Sequence, residues 1–218
     1  MENWTTGKTS GRGAMGVVCC IGLEERLTDR NWLAELLNTF EDRIARVAEV
    51  HAARCKWEGP LSYQEEMGGT LSNIVVIVRG RVTLDGLIAV KRRCMELEEA
   101  LVGRRGRTVN LNPGVVSGDG LLLASHKSSP IRVQVSDDVF LERQHVPSGR
   151  GNLAPLPNAF TEYLSRDRRH LLDRLLAASG SVRLLPAVFP REASIAERRD
   201  LRHFTSLLWG NRAAFTDR

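Results

Sequence analysis

The sequence has few lysines, few aromatic side chains and no long apolar run. Only four of its 31 basic residues are lysines, and aromatic residues make up 6% of the 218. No stretch approaches the roughly 20 apolar residues that a membrane-spanning helix needs, so none is predicted. A hydrophobic content of 42% with 26% charged residues is typical of a chain with a folded core.

Metal-binding and disulfide patterns are also missing. The cysteines are Cys19, Cys20, Cys55 and Cys94. None forms a CxxC pair or has the Cys/His spacing of a zinc site, so buried reduced thiols are expected. Residues 1–15 are polar and glycine-rich and lack the apolar stretch of a secretory signal. We therefore predict a disordered tail at 1–15, with Met15 as an alternative start, and a cytoplasmic protein.

The positive charge is concentrated in the last quarter of the chain. Residues 166–218 contain 11 arginines and six acidic residues, and the remainder has 20 basic and 20 acidic residues, for a net charge of +5. An arginine-rich segment favours nucleic acid as a partner. The interleaved acidic residues favour an ordinary solvated helix face instead, and its leucines allow a protein-interaction surface.

Hydrophobic periodicity predicts alternating strands and helices. In chain order these are a strand at 16–23, a helix from Thr28 or Asp29 to about Val50, a short strand at 53–57, a loop at 63–69, a strand at 73–78, a helix at 84–102, a strand at 108–111 stopped by Pro113, and strands at 121–127, 131–135 and 139–143. A loop at 146–158 and helices at 164–178 and 193–208 follow.

This order predicts an α+β fold. A strand–helix–strand, strand–helix–strand series is the ferredoxin-like split βαβ arrangement, an antiparallel sheet with two helices on one face. The last three strands extend the sheet as a β-meander. We expect one α+β domain at 16–165, followed by a basic helical extension at 166–218.

Lys91 is the most unusual residue of the second long helix. It has apolar residues on both sides along the helix, and Glu98 follows about 10 Å further along the same side. Burying a lysine is unfavourable unless it is paired or its ammonium reaches water. The residue is therefore either a lysine at the edge of the apolar stripe or one directed at an anionic ligand.

Polar side chains alternate with apolar ones along the strands that follow. We expect one sheet face to gather Asn110, Asn112, Arg132 and Glu142, with Lys127 at the end of a strand. Together with Arg107, these groups suit a phosphate or carboxylate ligand in a hollow beside the second helix. The alternative is a solvated face with cross-strand pairs.

Three further residue types give weaker signals. Glu66 is a candidate general acid or ligand contact, although a surface charge is the simpler interpretation. His126 alternates with apolar residues and is predicted to point inward. The motif at 7–10 resembles the end of a P-loop but has no preceding strand, so phosphate binding is not assigned to it. No metal site, cofactor or catalytic set is predicted.

A series of motifs occurs in a characteristic order. They are Tyr63-x-x-Glu66-Met67-Gly68, Lys91, Glu98, Arg107-x-Val-Asn110-Leu-Asn112-Pro113-Gly114, Ser125-x-Lys127, Arg132 and Phe140-x-Glu142. Over about residues 16–165 this series resembles an uncharacterised prokaryotic family, catalogued as domain of unknown function 4416. The family has no established activity, so the resemblance implies a fold and a set of motif residues but no reaction.

The chain departs from that family at several polar positions. Asn112 and Val115 stand where the family usually has Asp and Tyr, and Phe140 stands where Tyr is usual. A His that commonly precedes Arg132 is absent, with Pro130 in that neighbourhood. The resemblance therefore implies a member that binds without turnover, if the family is enzymatic.

The strand containing Arg107 is also similar, more weakly, to one in the hydroxymethylpterin pyrophosphokinases. That family holds magnesium with two aspartates, and Asn110 and Asn112 replace them here. Because a neutral amide is a poor sole ligand for Mg²⁺, this likeness implies only a shared fold.

The sequence thus predicts a protein that binds a small phosphorylated or carboxylated ligand, with a nucleotide among the candidates. The expected ligand-binding residues are Lys91, Arg107, Asn110, Asn112, Lys127, Arg132, Glu142 and Glu66. The alternatives are a nucleic-acid or ribonucleoprotein-associated protein that uses its arginine-rich C-terminal segment, and a protein-interaction module. The sequence indicates neither an enzymatic reaction nor an oligomeric state.

Overall fold

A computed structural model describes residues 14–56, 61–103, 106–148, 151–179 and 184, without the side chains of 52–56 and 62. The chain divides into two compact units, 1–184 and 185–218, and the second contains no described residue. Of the predicted disordered tail at 1–15, residues 1–13 lie outside the described residues, as does the predicted helix at 193–208, whereas Ala14 and Met15 begin the first strand.

The described chain contains both strands and helices. The strands are β1 (Ala14–Leu23), β2 (Val47–Lys56), β3 (Leu71–Val82), β4 (Val109–Ser117), β5 (Gly120–Ser125), β6 (Arg132–Gln134), β7 (Phe140–Pro147) and β8 (Leu153–Pro155). The helices are α1 (Glu24–Thr28), α2 (Arg30–Arg43), α3 (Leu61–Met67), α4 (Leu84–Ala100) and α5 (Arg166–Ser179), with a 3₁₀ turn at Thr161–Tyr163. No helix of the described segments is long and apolar enough to cross a bilayer.

The eight strands form one antiparallel sheet. Its order is β2-β3-β1-β4-β5-β7-β6, and β8 pairs with β7. The first four strands, with α2 between β1 and β2 and α4 between β3 and β4, form the split βαβ unit. The remaining strands extend the sheet from β4. The predicted α+β fold with an antiparallel sheet is therefore confirmed.

Each face of the sheet has its own core. Helices α2 and α4 cover one face, where Phe40, Cys94 and Leu97 pack against residues such as Val18 and Leu111. Helix α5 covers the other face. It contributes Leu171, Leu172, Leu175 and Leu176 to a core that also includes Cys19, Ile21, Leu121 and Leu123. The basic amphipathic helix thus packs on the same sheet as the predicted domain.

Side-chain caps define the starts of the two helices on the first face. The Asp29 carboxylate accepts a hydrogen bond from the Asn31 backbone N–H at 2.9 Å, which begins α2. The Thr83 hydroxyl accepts from the Gly86 N–H at 3.1 Å, which begins α4. The cap predicted at Thr28 or Asp29 therefore belongs to Asp29.

Several predicted boundaries were wrong, and the predicted loop at 146–158 contains strand β8. The first long helix ends at Arg43, and Val47 and Val50 belong to strand β2, because their spacing imitates a continuing helical stripe. The segment at 63–69 is mostly helix α3 instead of a loop, and Met67 packs into the α5-side core. Strand β4 continues through Pro113 instead of stopping before it.

Candidate functional site

Strands β4 and β5 pair over only part of their length. Their register begins at Ser117↔Gly120 and its last pair is Gly114↔Leu123. Ser117 and Gly120 flank a two-residue turn and form a hydrogen-bonded pair. Because hydrogen-bonded and non-hydrogen-bonded pairs alternate along an antiparallel ladder, Pro113 occupies the third hydrogen-bonded position of β4. Pro113 has no N–H to donate, so the ladder breaks there. Its missing donor faces β5, which leaves the β1–β4 ladder intact.

Two side chains of α4 replace the missing strand partner of Leu111. The Leu111 N–H donates to Glu98 Oε1 at 2.6 Å, and Lys91 Nζ donates to the Leu111 carbonyl at 3.3 Å. Continuing the β4–β5 register would have placed His126 opposite Leu111. Lys91 is 2% and Glu98 6% exposed. We call this part of the β4 edge, where Lys91 and Glu98 contact Leu111, the slot.

Burial shifts the pKa values of the two charged groups in opposite directions. Desolvation lowers the pKa of Lys91, and the nearby carboxylate of Glu98 opposes that shift. Desolvation raises the pKa of Glu98, opposed by Lys91, the Leu111 N–H and Arg107. Each charge therefore offsets part of the cost of burying the other.

Arg107 connects the slot to the opposite face of the sheet. Its guanidinium donates to Glu98 Oε2 at 3.3 Å, to Asn110 Oδ1 at 2.8 Å and to Glu66 Oε2 at 2.9 Å. Its central carbon also lies 5.1 Å from the centre of the Tyr63 ring. These contacts restrict the rotation of the guanidinium and fix the carboxylates around it.

The contact with Arg107 also orients the Asn110 side chain. Because the oxygen faces Arg107, the amide nitrogen points away from it. Asn110 is 4% exposed, and its Nδ2 atom has no hydrogen-bond partner among the described residues. A buried donor without an acceptor is unfavourable by about 1–3 kcal/mol. This nitrogen therefore marks a position where a ligand oxygen would be stabilising.

A second polar group lies on β5, β6 and β7. Arg132 donates through Nε at 2.8 Å and forms an ion pair at 2.7 Å with Glu142 Oε2. It also donates to the Ser125 hydroxyl at 3.0 Å and the Lys127 carbonyl at 2.8 Å. Arg132 therefore holds the chain that follows β5.

The other oxygen of Glu142 connects this group to the segment before α5. Glu142 Oε1 accepts from Gln144 Nε2 at 2.8 Å and from Asn158 Nδ2 at 2.9 Å. Gln144 Oε1 in turn accepts from the Phe160 N–H at 2.6 Å. Glu142 is 3% exposed, so its charge is neutralised and hydrogen-bonded within the fold.

Cross-strand register places these side chains in rows on the face covered by α5. Read from β4 towards β6, the first row is Gly114–Leu123–Glu142–Arg132, and the second row, one step past the last β4–β5 pair, is Asn112–Ser125–Phe140–Gln134. Asn110 lies two residues further along β4, and Lys127 follows the end of β5. Cross-strand partners share a face. Asn110, Asn112, Arg132 and Glu142 therefore lie on one face, as their spacing predicted, whereas their binding of a ligand stays a prediction.

His126 lies between the two polar groups. Its pKa is lowered, first by desolvation and then by the positive charges of Lys91, Lys127, Arg107 and Arg132. The residue is exposed instead of pointing inward. The prediction failed because β5 ends one residue earlier, where strand alternation no longer applies.

The unused hydrogen-bonding capacity of the region consists mainly of donors. Both oxygens of Glu98 and both of Glu142 are occupied. Within the described part of the chain, the Lys127 ammonium and the Asn112 amide make no hydrogen bond. Lys91 Nζ uses one of its three N–H donors. The same part of the chain holds no cluster of three or more His, Cys, Asp and Glu side chains arranged around a metal position.

Sequence reasoning missed several members of the two groups. Glu98 was noted only as a neighbour of Lys91, and Tyr63 only as part of a motif. Gln144 and Asn158 gave no signal except that Gln144 alternates in register with Glu142. Their role depends on the path of residues 156–160, which local periodicity does not determine.

The arginines predicted to form a nucleic-acid surface are only partly accessible. Arg168 is fully buried and donates to Asn73 Oδ1 at 3.2 Å. Arg174 forms an exposed ion pair with Glu49 at 3.0 Å. Arg166 and Arg169 are exposed. Three further arginines of the arginine-rich segment, Arg198, Arg199 and Arg202, lie outside the described residues.

A separate cavity of about 440 Å³ lies where β1 meets α1. It is lined by Leu23, Glu24, Glu25, Thr28, Gly68, Gly69 and Thr70. None of the residues predicted to bind a ligand contributes to it. Its charged side chains are carboxylates, so it does not offer the donors found around the slot.

Comparison with known proteins identifies one family. A family model described as "Domain of unknown function (DUF4416)" matches residues 17–177. No curated protein and no solved structure matches the chain. The match extends past the limit near residue 165 that the motifs predicted, and it includes the leucines by which α5 packs on the sheet.

Proposed function

The chain belongs to DUF4416, a family whose function its name leaves open, and we propose that it binds a small ligand with a phosphate or carboxylate group. The ligand lies at the slot and on the adjoining sheet face. The groups proposed to contact it directly are Lys91, Asn110, Asn112 and Lys127. Arg107 and Arg132 hold these groups in position through Asn110 and through the chain after β5.

The observation that carries the proposal is the buried Asn110 Nδ2 donor, which has no acceptor in the described structure. Lys91 contacts the carbonyl of Leu111, the next residue of β4, and Lys127 lies in the segment that follows β5. A phosphate or carboxylate supplies several acceptor oxygens and a negative charge. Hydrogen bonds to charged groups are shorter and stronger than neutral ones, which favours such a ligand over an uncharged one.

A metal ion is less compatible with this chemistry. Binding a cation through Glu98 or Glu142 would break hydrogen bonds to Leu111, Arg107, Arg132 or Asn158. Breaking a buried charged network by removing one partner is strongly unfavourable. Of the free groups, the two lysine ammoniums and the Asn110 amide nitrogen are donors, which do not bind cations, and only the Asn112 amide adds an acceptor oxygen.

Isothermal titration of the full chain with inorganic phosphate, pyrophosphate and malate tests the proposal. Asn110→Asp keeps the acceptor towards Arg107 but removes the amide donor, so we expect at least a tenfold loss of affinity. Lys127→Ala removes an exposed ammonium, and about a fivefold loss is expected. Arg43→Ala, an exposed cation of α2, is the control and should leave affinity unchanged. The proposal is wrong if no anion binds, or if both site variants bind like the unmodified chain.

The cytoplasm is the location we propose for this activity. Cys19, Cys20 and Cys94 are buried, and all three are free thiols. Burial raises the pKa of Cys20 to about 12, so this thiol stays protonated and unreactive. Unpaired thiols are typical of proteins in a reducing compartment. Expression in cells followed by fractionation would test the assignment.

A further inference from the structure

The site contains an aromatic side chain that anion binding does not explain. Phe140 stands in the second row, between Ser125 on β5 and Gln134 on β6. It is half-buried. Phe140 is not among the described residues that form the two cores or pack against them. In the part of the chain that the structure describes, its ring therefore lies on the polar face outside both cores.

Starting from the proposed function, we infer that the ligand is a nucleoside phosphate whose base stacks on Phe140. Adjacent strands are about 5 Å apart and alternate residues along a strand about 7 Å apart. A base on Phe140 thus has the Ser125 strand beside it, with Lys127 two residues further along. The phosphate then lies between the Lys127 ammonium and the Asn110 amide, where β4 and the chain after β5 are no longer paired.

The polar groups of the second row suit the edge of a base. Ser125 Oγ accepts hydrogen bonds from the Lys127 N–H and from Arg132, which leaves its own O–H to donate. The Asn112 amide, which makes no hydrogen bond to the described residues, offers both a donor and an acceptor. Unstacked bases are recognised by aromatic stacking together with hydrogen bonds to their edges.

A phosphorylated sugar without a base would use only part of this site. It would satisfy Asn110, Lys91 and Lys127 but leave the Phe140 ring and the Asn112 amide without a partner. Stacking of a base on an aromatic side chain contributes roughly tenfold or more in affinity. We therefore expect nucleoside monophosphates to bind at least tenfold more tightly than ribose 5-phosphate or inorganic phosphate.

Titration of the full chain with adenosine monophosphate, uridine monophosphate, ribose 5-phosphate and phosphate tests the inference. Phe140→Leu keeps an apolar side chain without a π face and should remove the tenfold preference while leaving phosphate affinity unchanged. Phe140→Tyr should retain the preference. Val133→Ala, at an exposed position of the neighbouring strand, is the control and should behave like the unmodified chain.

Saturation-transfer NMR on the unmodified chain provides a readout that needs no variant. The base protons of the bound nucleotide should receive more magnetisation than the ribose protons, because the base contacts the protein.

Equal affinity for phosphate and for nucleotides, or an unchanged preference in Phe140→Leu, overturns the stacked base but leaves anion binding intact. Absence of binding by every anion overturns the proposed function as well. Binding of a short single-stranded RNA a hundredfold more tightly than a mononucleotide overturns a free nucleotide as the ligand.

Discussion

Glu98 has a structural role that can be measured without any ligand. Its carboxylate accepts the Leu111 N–H at 2.6 Å and contacts Arg107. Glu98→Leu leaves both donors without their acceptor, so we expect a loss of about 2–4 kcal/mol in unfolding free energy. Glu98→Gln keeps an acceptor oxygen and should lose only about 1 kcal/mol. Urea denaturation at pH 7 measures both.

The same experiment has a matched control on the same helix. Glu96 is exposed, and Glu96→Leu should change the unfolding free energy by less than about 0.5 kcal/mol. An equal loss in the 96 and 98 variants would mean that Glu98 does not support the edge of β4.

His145 predicts a dependence of stability on pH. The residue is fully buried, and desolvation lowers its pKa to about 4 from the ordinary 6.5. A folded-state pKa below the unfolded one gives stability that is complete above pH 6.5 and is lost as the pH falls through about 4. The loss between neutral pH and pH 4 amounts to about 3 kcal/mol.

His145→Leu removes the titrating group and isolates its contribution. The unfolding free energy of the unmodified chain should fall by about 3 kcal/mol more than that of the variant between pH 7 and pH 4. Denaturation curves at several pH values measure the difference. Parallel pH profiles would show that the imidazole gains its proton as easily in the folded protein as in the unfolded chain.

Pro113 determines where strands β4 and β5 stop pairing. Because the proline nitrogen faces β5, Pro113→Ala restores a donor at the position where the β4–β5 ladder breaks. We expect the longer ladder to pair Leu111 with residue 126 and to displace Lys91 and Glu98 from the slot. Phosphate affinity should then fall about tenfold or more, as two charge-assisted contacts are lost.

Hydrogen exchange tells whether the strands have closed. The new amide at position 113 should be protected in Pro113→Ala. Gly114→Ala is unsuitable as a control, because an added Cβ would lie 2.6 Å from the Leu122 carbonyl. Val133→Ala on β6 serves instead. Rapid exchange at position 113 together with unchanged phosphate affinity would show that the proline does not create the slot.

The elements differ in how far the sequence determines them. Strand β1 and helix α4 were predicted because a continuous apolar run and the Thr83 cap act locally. The helix prediction through Val50 failed because three- and four-residue spacing continues into β2. The slot was also missed, because a proline within a strand usually marks the end of that strand. Here β4 continues, and the proline nitrogen faces the side where β5 no longer pairs with it.

Candidate site residues were predictable only where one strand or helix carries the signal. Alternation placed Asn110, Asn112, Arg132 and Glu142 on one face, and Lys91 stood out within an apolar stripe. The contacts of Glu142 with Asn158 and of Arg107 with Glu66 join segments that are distant in sequence. Such pairs arise from tertiary packing, for which a single sequence gives no local pattern.

At the scale of the whole molecule, the arginine-rich segment contains parts with different roles. Helix α5 buries Leu171, Leu172 and Arg168 against the sheet, so it is part of the folded core. Residues 185–218 belong to the second of the chain's two units and lie outside the described residues. Truncation after Leu164 would remove the helix that covers one face of the sheet. Loss of RNA binding in such a chain would therefore say nothing about RNA contacts.

A chain that ends at Leu184 separates folding from nucleic-acid binding. We expect it to unfold cooperatively with a midpoint within about 4 °C of the full chain, because both cores remain, and to keep its phosphate affinity. A chain that ends at Leu164 should show no cooperative transition, since truncating even one buried leucine costs about 2–5 kcal/mol. Calorimetry measures both.

If RNA binding is salt-sensitive in the full chain and absent from the folded chain ending at Leu184, the nucleic-acid alternative belongs to residues 185–218. A cooperative transition in the shorter chain would mean that the sheet is stable without α5.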